Sequence, residues 1–184
     1  KIKKIIRFST KDKKLKQKLN KNINFRKNSI LKLDYKYVIL SSVEPFSEKI
    51  VINFFKSLKI VILNINLKNI SKSIKFNYIS SQLGADRIAN TFAALKKYGK
   101  NSLVIDFGTA TTFDLTVNGI YEGGLISPGI NTSHNALINV AYKLNKIKIA
   151  KTKKIISNNT KDSMKSGFYW GYISLINGII KKII

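Results

Sequence analysis

The sequence contains no cysteine, and it has only one methionine, one tryptophan, one histidine and two prolines among its 184 residues. Without cysteine, neither a disulfide nor a thiolate metal site can form within it. No apolar run approaches the ~20 residues that a membrane-spanning helix requires. The basic N-terminal stretch also lacks the apolar segment of a signal peptide. These absences predict a cytoplasmic protein that does not cross a membrane.

Acidic residues are scarce as well, with 9 Asp+Glu against 34 Lys+Arg and a formal net charge of +25. Such a charge raises nucleic acid or an anionic membrane as a partner. The excess is almost all lysine, spread along the chain, and arginine occurs only at Arg7, Arg26 and Arg87. Because nucleic-acid recognition more usually brings clustered arginine and stacking aromatics, we interpret the lysines as a solvated surface. A nucleic-acid-binding module stays as the alternative that charge alone suggests.

A hydrophobic content of 44% is ordinary for a globular protein of this length, so a core is expected. Strand-like and helix-like segments alternate, which predicts an α/β fold. Asn118-Gly119 is predicted to form a tight hairpin turn, and Gly99 to end a helix in the αL conformation. Residues 66–80 are predicted to form a loop or an irregular edge. Strands are predicted at 4–8, 37–41, 60–65, 103–106, 112–117 and 120–126, and helices at 12–19, 46–58, 82–98 and 130–144.

The most informative segment is Val104–Asp114, with the sequence VIDFGTATTFD. An apolar run ends at Asp106, Gly108 allows a sharp turn, and three threonines follow before a second strand. Such a hairpin can offer backbone N–H groups and hydroxyls to a phosphate, with a carboxylate beside it for a cation. The alternative is a hairpin whose threonines only favour strands, and Asp-x-Gly-Thr also occurs in aspartic proteases.

Three other segments decide between these interpretations. They are Leu83–Asn90 (LGADRIAN), Gly123–Ile130 (GGLISPGI) and Asn158–Tyr172 (NNTKDSMKSGFYWGY). In this order around VIDFGTATTFD, they resemble the type III pantothenate kinases. The resemblance implies the actin-like ATPase fold of acetate and sugar kinases, heat-shock ATPases and actin. It also implies ATP-dependent phosphorylation of pantothenate to 4'-phosphopantothenate, the first step of coenzyme A biosynthesis, by a homodimer.

The resemblance further implies a substrate group, formed by Gly84, Ala85, Asp86, Arg87 and Thr160. Asp86 would be the general base, since a positioned carboxylate can accept the proton of the attacking hydroxyl. Arg87 offers bidentate donors that suit a carboxylate. Each has a structural alternative. Asp86 could be a first-turn carboxylate stabilised by the helix dipole, Arg87 a solvated helix charge, and the Asn159-Thr160 pair an N-cap.

For the nucleotide, the resemblance implies that Thr109, Thr111 and Thr112 contact the ATP phosphates. Asp106 would bind a monovalent cation, K⁺ or NH4⁺, and Mg²⁺ would accompany ATP. Gly123, Gly124, Pro128 and Gly129 are predicted to shape the adjoining turn where a side chain would obstruct close approach. Tyr78 lies one position from the family's usual spacing and stays outside the predicted site. His134 is predicted to be at the surface or partly buried, and Trp170 to pack in a core or dimer interface.

The family's opening Asp-x-Gly-Asn-Thr loop is not found here, and the last residues continue a helical pattern. We therefore expect a fragment with a first actin-like domain at 1–101 and a second at 102–184, both incomplete. By itself it is predicted to be inactive, because ATP would be held from one side only. The alternative from another class is a non-catalytic regulatory relative resembling the Bvg accessory factor.

Overall fold

The computed structural model describes residues 14–22, 37–70, 74–79, 82–141 and 143–184. The predicted strand at 4–8 and the start of the predicted helix at 12–19 lie outside these residues. Helices and strands alternate, as predicted for an α/β protein. In chain order they are α1 Leu15–Asn22, β1 Tyr37–Leu40, α2 Pro45–Ser57, β2 Val61–Asn64, α3 Leu67–Ile70, β3 Lys75–Phe76, α4 Ala85–Tyr98, β4 Ser102–Phe107, β5 Ala110–Val117, β6 Ile120–Pro128, α5 Ile130–Val140 and α6 Thr160–Ile183.

Strands β1 and β2 form a two-stranded parallel sheet, with Tyr37 opposite Val61 and Leu40 opposite Asn64. Helices α1 and α2 cover one face of it, because each carries apolar residues at helical spacing. Helix α2 begins at Pro45, and the Glu44 carboxylate caps it by accepting hydrogen bonds from two backbone N–H groups. The resulting core contains Leu15, Leu19, Phe54 and Phe55, with Val38 and Ile62 packed against it.

The second sheet has the strand order β3-β6-β5-β4. Strands β5 and β6 are joined by Asn118 and Gly119, whose φ angles of 50° and 79° are the positive pair that a tight hairpin turn requires. This turn confirms the prediction. Strand β3 pairs in parallel with β6, with Phe76 opposite Tyr121. The prediction of a loop at 66–80 is wrong at α3 and β3, whereas the alternative of a sheet edge agrees with the position of β3 at one end of the strand order.

Contacts divide the chain into two compact units, Lys1–Val104 with Asp114–Gly123, and Ile105–Phe113 with Gly124–Ile184. A core of the first unit contains Ile74, Leu83, Ile88 and Tyr121.

Helix α4 ends at Gly99, where φ is 104° but ψ is −167°. The positive φ explains the glycine, whereas the predicted αL conformation is wrong because this ψ is extended. Two actin-like domains at 1–101 and 102–184 stay a prediction.

The second unit contains α5, α6 and the segment between them. His134 on α5 is only 3% exposed, so the predicted surface position is wrong. Its ring packs edge-on against Phe168 of α6, and its Nε2 accepts a hydrogen bond of 3.4 Å from the Ile147 backbone N–H. Trp170 donates its Nε1–H to the Thr152 hydroxyl at 3.0 Å. None of the helices in the described part of the chain is long and apolar enough to span a membrane.

Candidate functional site

The first group of predicted residues, Gly84–Arg87, lies together at the beginning of α4. Asp86 is in the first turn, and its exposed carboxylate accepts a hydrogen bond of 2.8 Å from the Arg87 backbone N–H. A carboxylate is favoured at this end of a helix by the helix dipole. The local bond fixes Asp86 at the helix start while leaving the carboxylate accessible to a ligand.

Gly84 is required for this position of Asp86. Its backbone is ordinary, with φ −64° and ψ 146°, so conformational freedom is not the reason for a glycine. A Cβ at residue 84 would lie 2.6 Å from Asp86 Oδ1 and 3.3 Å from Val43 Cγ1. Any side chain here would therefore displace the carboxylate.

A cavity of about 440 Å³ opens beside this helix start. Pockets of this size commonly hold small ligands, and they combine an apolar lining with a few polar groups. Here the cavity is open to solvent, its lining is about equally polar and apolar, and neither Asp86 nor Arg87 is among the lining residues. The walls come from the end of β1, the start of α3 and the start of α4, and they include Ser42, Val43, Asn66, Leu67, Gly84 and Ala85.

Arg87 is buried, with only 5% of its surface exposed, which excludes the alternative of a solvated helix charge. Its Nε donates to Asp114 Oδ1 at 2.8 Å, and its Nη2 lies 2.7 Å from the same oxygen. Nη2 also donates to the Tyr121 hydroxyl at 2.9 Å, and that hydroxyl donates to Asp114 Oδ1 at 2.7 Å. The buried side chains of Arg87, Asp114 and Tyr121 are thus all hydrogen-bonded to one another, next to the start of α4.

The ionisation of this cluster follows from its surroundings. Burial acts to lower the pKa of Arg87, but its hydrogen bond to Asp114 and the attraction of that carboxylate together raise the pKa above its usual value. Burial, followed by the hydrogen bond to Asp114, raises the pKa of Tyr121 well above the phenol range. Arg87 therefore stays charged, and Tyr121 keeps the proton that it donates.

Tyr78 is the aromatic neighbour of this cluster. Its ring centre is 5.9 Å from Arg87 Cζ, and it meets the Tyr121 ring edge-on at 5.8 Å. Gly123, at φ 117°, passes against the Tyr78 ring, where a Cβ would lie 3.6 Å from Cδ2. Sequence reasoning set Tyr78 aside because of its spacing, and it attached no role to Asp114 or Tyr121. One available signal was Asp114 itself, a charged residue in a strand whose other residues are all uncharged, within an acid-poor chain.

The second group lies at the turn between β4 and β5, in the other unit. Asp106 is near the end of β4, Thr109 is exposed in the turn, and Thr111 and Thr112 follow in β5. The Thr109 carbonyl accepts hydrogen bonds from the Gly129 N–H at 2.9 Å and from the Thr132 hydroxyl at 2.6 Å. Thr111 is buried, and its hydroxyl is hydrogen-bonded to Tyr172 of α6.

Gly129 packs directly against this turn. Its φ of −66° and ψ of 155° are open to any residue. A Cβ there would lie 2.2 Å from the Gly108 carbonyl oxygen and 2.7 Å from that of Thr109. The prediction that a side chain at Gly129 would obstruct a close approach is confirmed. The start of α5 and the turn are thereby held together as one backbone-lined surface.

The turn contains few groups that could bind a metal ion. Among the described residues, no group of three or more acidic or histidine side chains is placed to hold a metal ion. Asp106 supplies one carboxylate, and Mg²⁺ is usually bound by one or two carboxylates together with substrate phosphates and water. A cation at this turn would therefore need the phosphates of a bound nucleotide to complete its ligands.

Thr160 stands apart from both groups in sequence, as the exposed first residue of α6. The N-cap is Asn159, whose side chain accepts from the Asp162 N–H at 2.9 Å, so the Asn159-Thr160 pair does cap this helix, as the structural alternative expected. Before this helix lies an open cavity of about 710 Å³, lined by Lys148, Lys151, Lys153, Lys154 and Lys165. Lys165 and Asn159, by their hydrogen bonds, lower the pKa of Asp162.

The fold and these residues define an α/β protein with a threonine-rich turn between two strands and an accessible carboxylate at a helix start. The model of the type III pantothenate kinase family matches residues 2–182. The chain belongs to this family, and the resemblance found in its sequence is confirmed.

Three relatives, each described as a type III pantothenate kinase, illustrate the match. The protein of Persephonella marina is 44% identical over 80% of this chain and 58% of its own length. The protein of Sulfurihydrogenibium is 41% identical over 79% of this chain and 59% of its own length. The protein of Pelagibacter ubique is 36% identical over 90% of this chain and 66% of its own length. The chain thus spans about three-fifths of the length of these curated relatives.

Among solved structures, a Campylobacter jejuni protein assigned to the Baf family of transcriptional activators is similar in fold. The TM-score is 0.54, the identity 21%, and the match covers 87% of this chain and 68% of that one.

Proposed function

We propose that the complete protein phosphorylates pantothenate with ATP, forming 4'-phosphopantothenate in the cytoplasm as the first step of coenzyme A biosynthesis. Membership of the type III pantothenate kinase family supports this substrate pair. The observation that carries the proposal is the exposed Asp86 carboxylate, held at the start of α4 by the Arg87 N–H and by the space at Gly84.

In this proposal Asp86 is the general base. Phosphoryl transfer requires the substrate hydroxyl to be oriented and its proton to be accepted as the new bond to phosphorus forms. An accessible carboxylate at a fixed helix start can do both. Gly84, Ala85, Arg87 and Thr160 complete the substrate group. The open 440 Å³ cavity lies beside Gly84 and Ala85, next to the helix start that carries Asp86.

ATP is assigned to the turn between β4 and β5, within an actin-like ATPase fold. The exposed Thr109 and the neighbouring Thr112 contact its phosphates, while Thr111 supports the turn through Tyr172. Asp106 binds K⁺ or NH4⁺, and Mg²⁺ arrives with the nucleotide. A cation at Asp106 offsets the repulsion between carboxylate and phosphate oxygens. A homodimer is part of the same proposal.

The test is ATP-dependent phosphopantothenate formation by the purified complete protein, measured for the parent and for Asp86→Asn. The amide keeps the size of the side chain but cannot accept the proton, so kcat should fall by roughly 10²-fold or more. The KM for ATP should change little. The matched control is Glu48→Gln, which neutralises another first-turn carboxylate, in α2, and should leave kcat unchanged.

Two outcomes would contradict the proposal in different ways. Equal kcat in Asp86→Asn and parent would return Asp86 to a structural role at the helix start. No phosphopantothenate formation by the folded parent would instead favour the non-catalytic relative resembling the Bvg accessory factor.

A further inference from the structure

We propose that Asp114, assisted by Tyr121, is a positioning residue for substrate recognition. It holds the Arg87 guanidinium in the orientation in which it meets the carboxylate of pantothenate. This inference rests on the proposed function. It assigns a task to two residues, on β5 and β6, that do not belong to the substrate group itself.

The hydrogen-bond geometry carries the first step. A guanidinium has five N–H donors, one on Nε and two on each Nη nitrogen. The Nε donor and the Nη2 pair are engaged by Asp114 Oδ1, at 2.8 and 2.7 Å, and by the Tyr121 hydroxyl at 2.9 Å. The Tyr78 side chain is a further hydrogen-bond partner of Arg87. These partners therefore fix the plane of the guanidinium. A fixed plane is what bidentate binding of a second carboxylate, that of the substrate, requires.

Burial carries the second step. Asp114 and Tyr121 are 0% exposed, and Arg87 is 5% exposed. Buried ion pairs are weak sources of stability, because apolar side chains of similar volume often stabilise a fold equally well or better. Besides its small effect on stability, this buried pair fixes the position and the direction of the Arg87 guanidinium. Arg87 follows Asp86 directly, so the same anchor also holds the helix start that carries the proposed base.

The aromatic surroundings restrict the guanidinium further. The Tyr78 ring lies over Arg87 at 5.9 Å and rests edge-on against Tyr121. Tyr121 is itself fixed by its hydrogen bond of 2.7 Å to Asp114. Rotation of Arg87 away from this orientation would break three hydrogen bonds at once, so Asp114 is the residue whose loss frees it.

The experiment uses the complete protein and two ligands, pantothenate and its neutral carboxamide analogue, pantothenamide. Asp114→Asn keeps the shape but removes the charge that orients Arg87. The KM and the calorimetric Kd for pantothenate should each rise by roughly tenfold or more, the scale of a charge-assisted hydrogen bond. The KM for ATP and both constants for pantothenamide should stay within about twofold of the parent. In an Arg87→Lys background, Asp114→Asn should raise the pantothenate constants little further, because the two residues act as one unit.

Two further variants complete the test. Tyr121→Phe retains the ion pair, so it should raise the KM and Kd for pantothenate by a smaller factor than Asp114→Asn does. It replaces Asp114→Asn in the test if that variant does not fold. Glu122→Gln, next to Tyr121 and exposed, is the control and should change none of the constants.

The inference is overturned if Asp114→Asn and Tyr121→Phe leave the pantothenate constants unchanged. Equal effects on pantothenate, pantothenamide and ATP would also overturn it, because that is what general destabilisation produces. If the folded parent neither binds nor phosphorylates pantothenate, the proposed function fails together with the inference. Failure of the variants alone leaves the proposed function intact.

Discussion

Gly129→Ala is expected to deform the turn between β4 and β5 without creating backbone strain at residue 129 itself. The backbone angles of Gly129 are open to alanine, so the cost arises only from contact. The new Cβ would lie 2.2 Å from the Gly108 carbonyl oxygen, whereas Cβ contacts in proteins do not fall below 3.0 Å. The two must separate by at least 3.0 − 2.2 = 0.8 Å.

This separation falls on backbone, because the contacted atoms are carbonyl oxygens of the turn and no side chain can rotate away. The hydrogen bond of 2.9 Å from the Gly129 N–H to the Thr109 carbonyl would lengthen at the same time. Overpacking of this kind costs about 1–3 kcal/mol of unfolding free energy. A displacement of the order of 1 Å in a positioning element can lower activity by roughly 10²-fold.

Two measurements on the complete protein check this. Chemical denaturation should show the loss of unfolding free energy, and kinetics should show a higher KM for ATP with a much smaller change for pantothenate. The control is Gly178→Ala in α6, where a Cβ meets no atom within 4 Å and alanine should stabilise the helix by about 1 kcal/mol. If Gly129→Ala retains the parental unfolding free energy and KM for ATP, the proposed role of this turn in holding phosphate is refuted.

Other substitutions probe single features. Asp106→Asn should raise the K⁺ concentration for half-maximal activity and the KM for ATP more than that for pantothenate; a variant with parental K⁺ dependence would contradict the cation role. Gly84→Ala should lower kcat while circular dichroism stays parental, because the new Cβ displaces the Asp86 carboxylate; an unchanged kcat would show that this carboxylate tolerates the shift. Hydrogen bonds from Ser47 lower the pKa of Glu44, so its stabilising effect is complete above 4.5 and is lost as the pH falls through the lowered pKa. Denaturation of Glu44→Gln and parent should therefore differ at neutral pH and converge in acid, and a difference that persists in acid would exclude the charge as its cause.

Local features of the chain were predictable because short-range chemistry determines them. The hairpin at Asn118-Gly119 follows from residues that accept positive φ, and the close approach at Gly129 follows from a glycine-rich segment beside a threonine turn. The grouping of Gly84–Arg87 at a helix start follows from the apolar periodicity of α4. The hairpin and the helix start form among sequence neighbours, whereas Gly129 meets Gly108 and Thr109 from further along the chain.

Features that depend on distant partners were not predictable in this way. Arg87 was expected to face a ligand or solvent, and its buried pairing with Asp114 and Tyr121 requires α4 to pack on β5 and β6. Strand β3 has only two residues and exists through its pairing with β6. His134 is buried because Phe168 and Ile147 meet it from later in the chain.

The single tryptophan has a spectroscopic consequence. Trp170 lies in α6, within the second compact unit, and its indole N–H is bound to Thr152. Intrinsic indole fluorescence therefore reports on the surroundings of α6 and the segment before it. Far-ultraviolet circular dichroism, in contrast, sums the helices of both units. If the two signals change at different denaturant concentrations, the units unfold separately, and this can be observed without attaching any label.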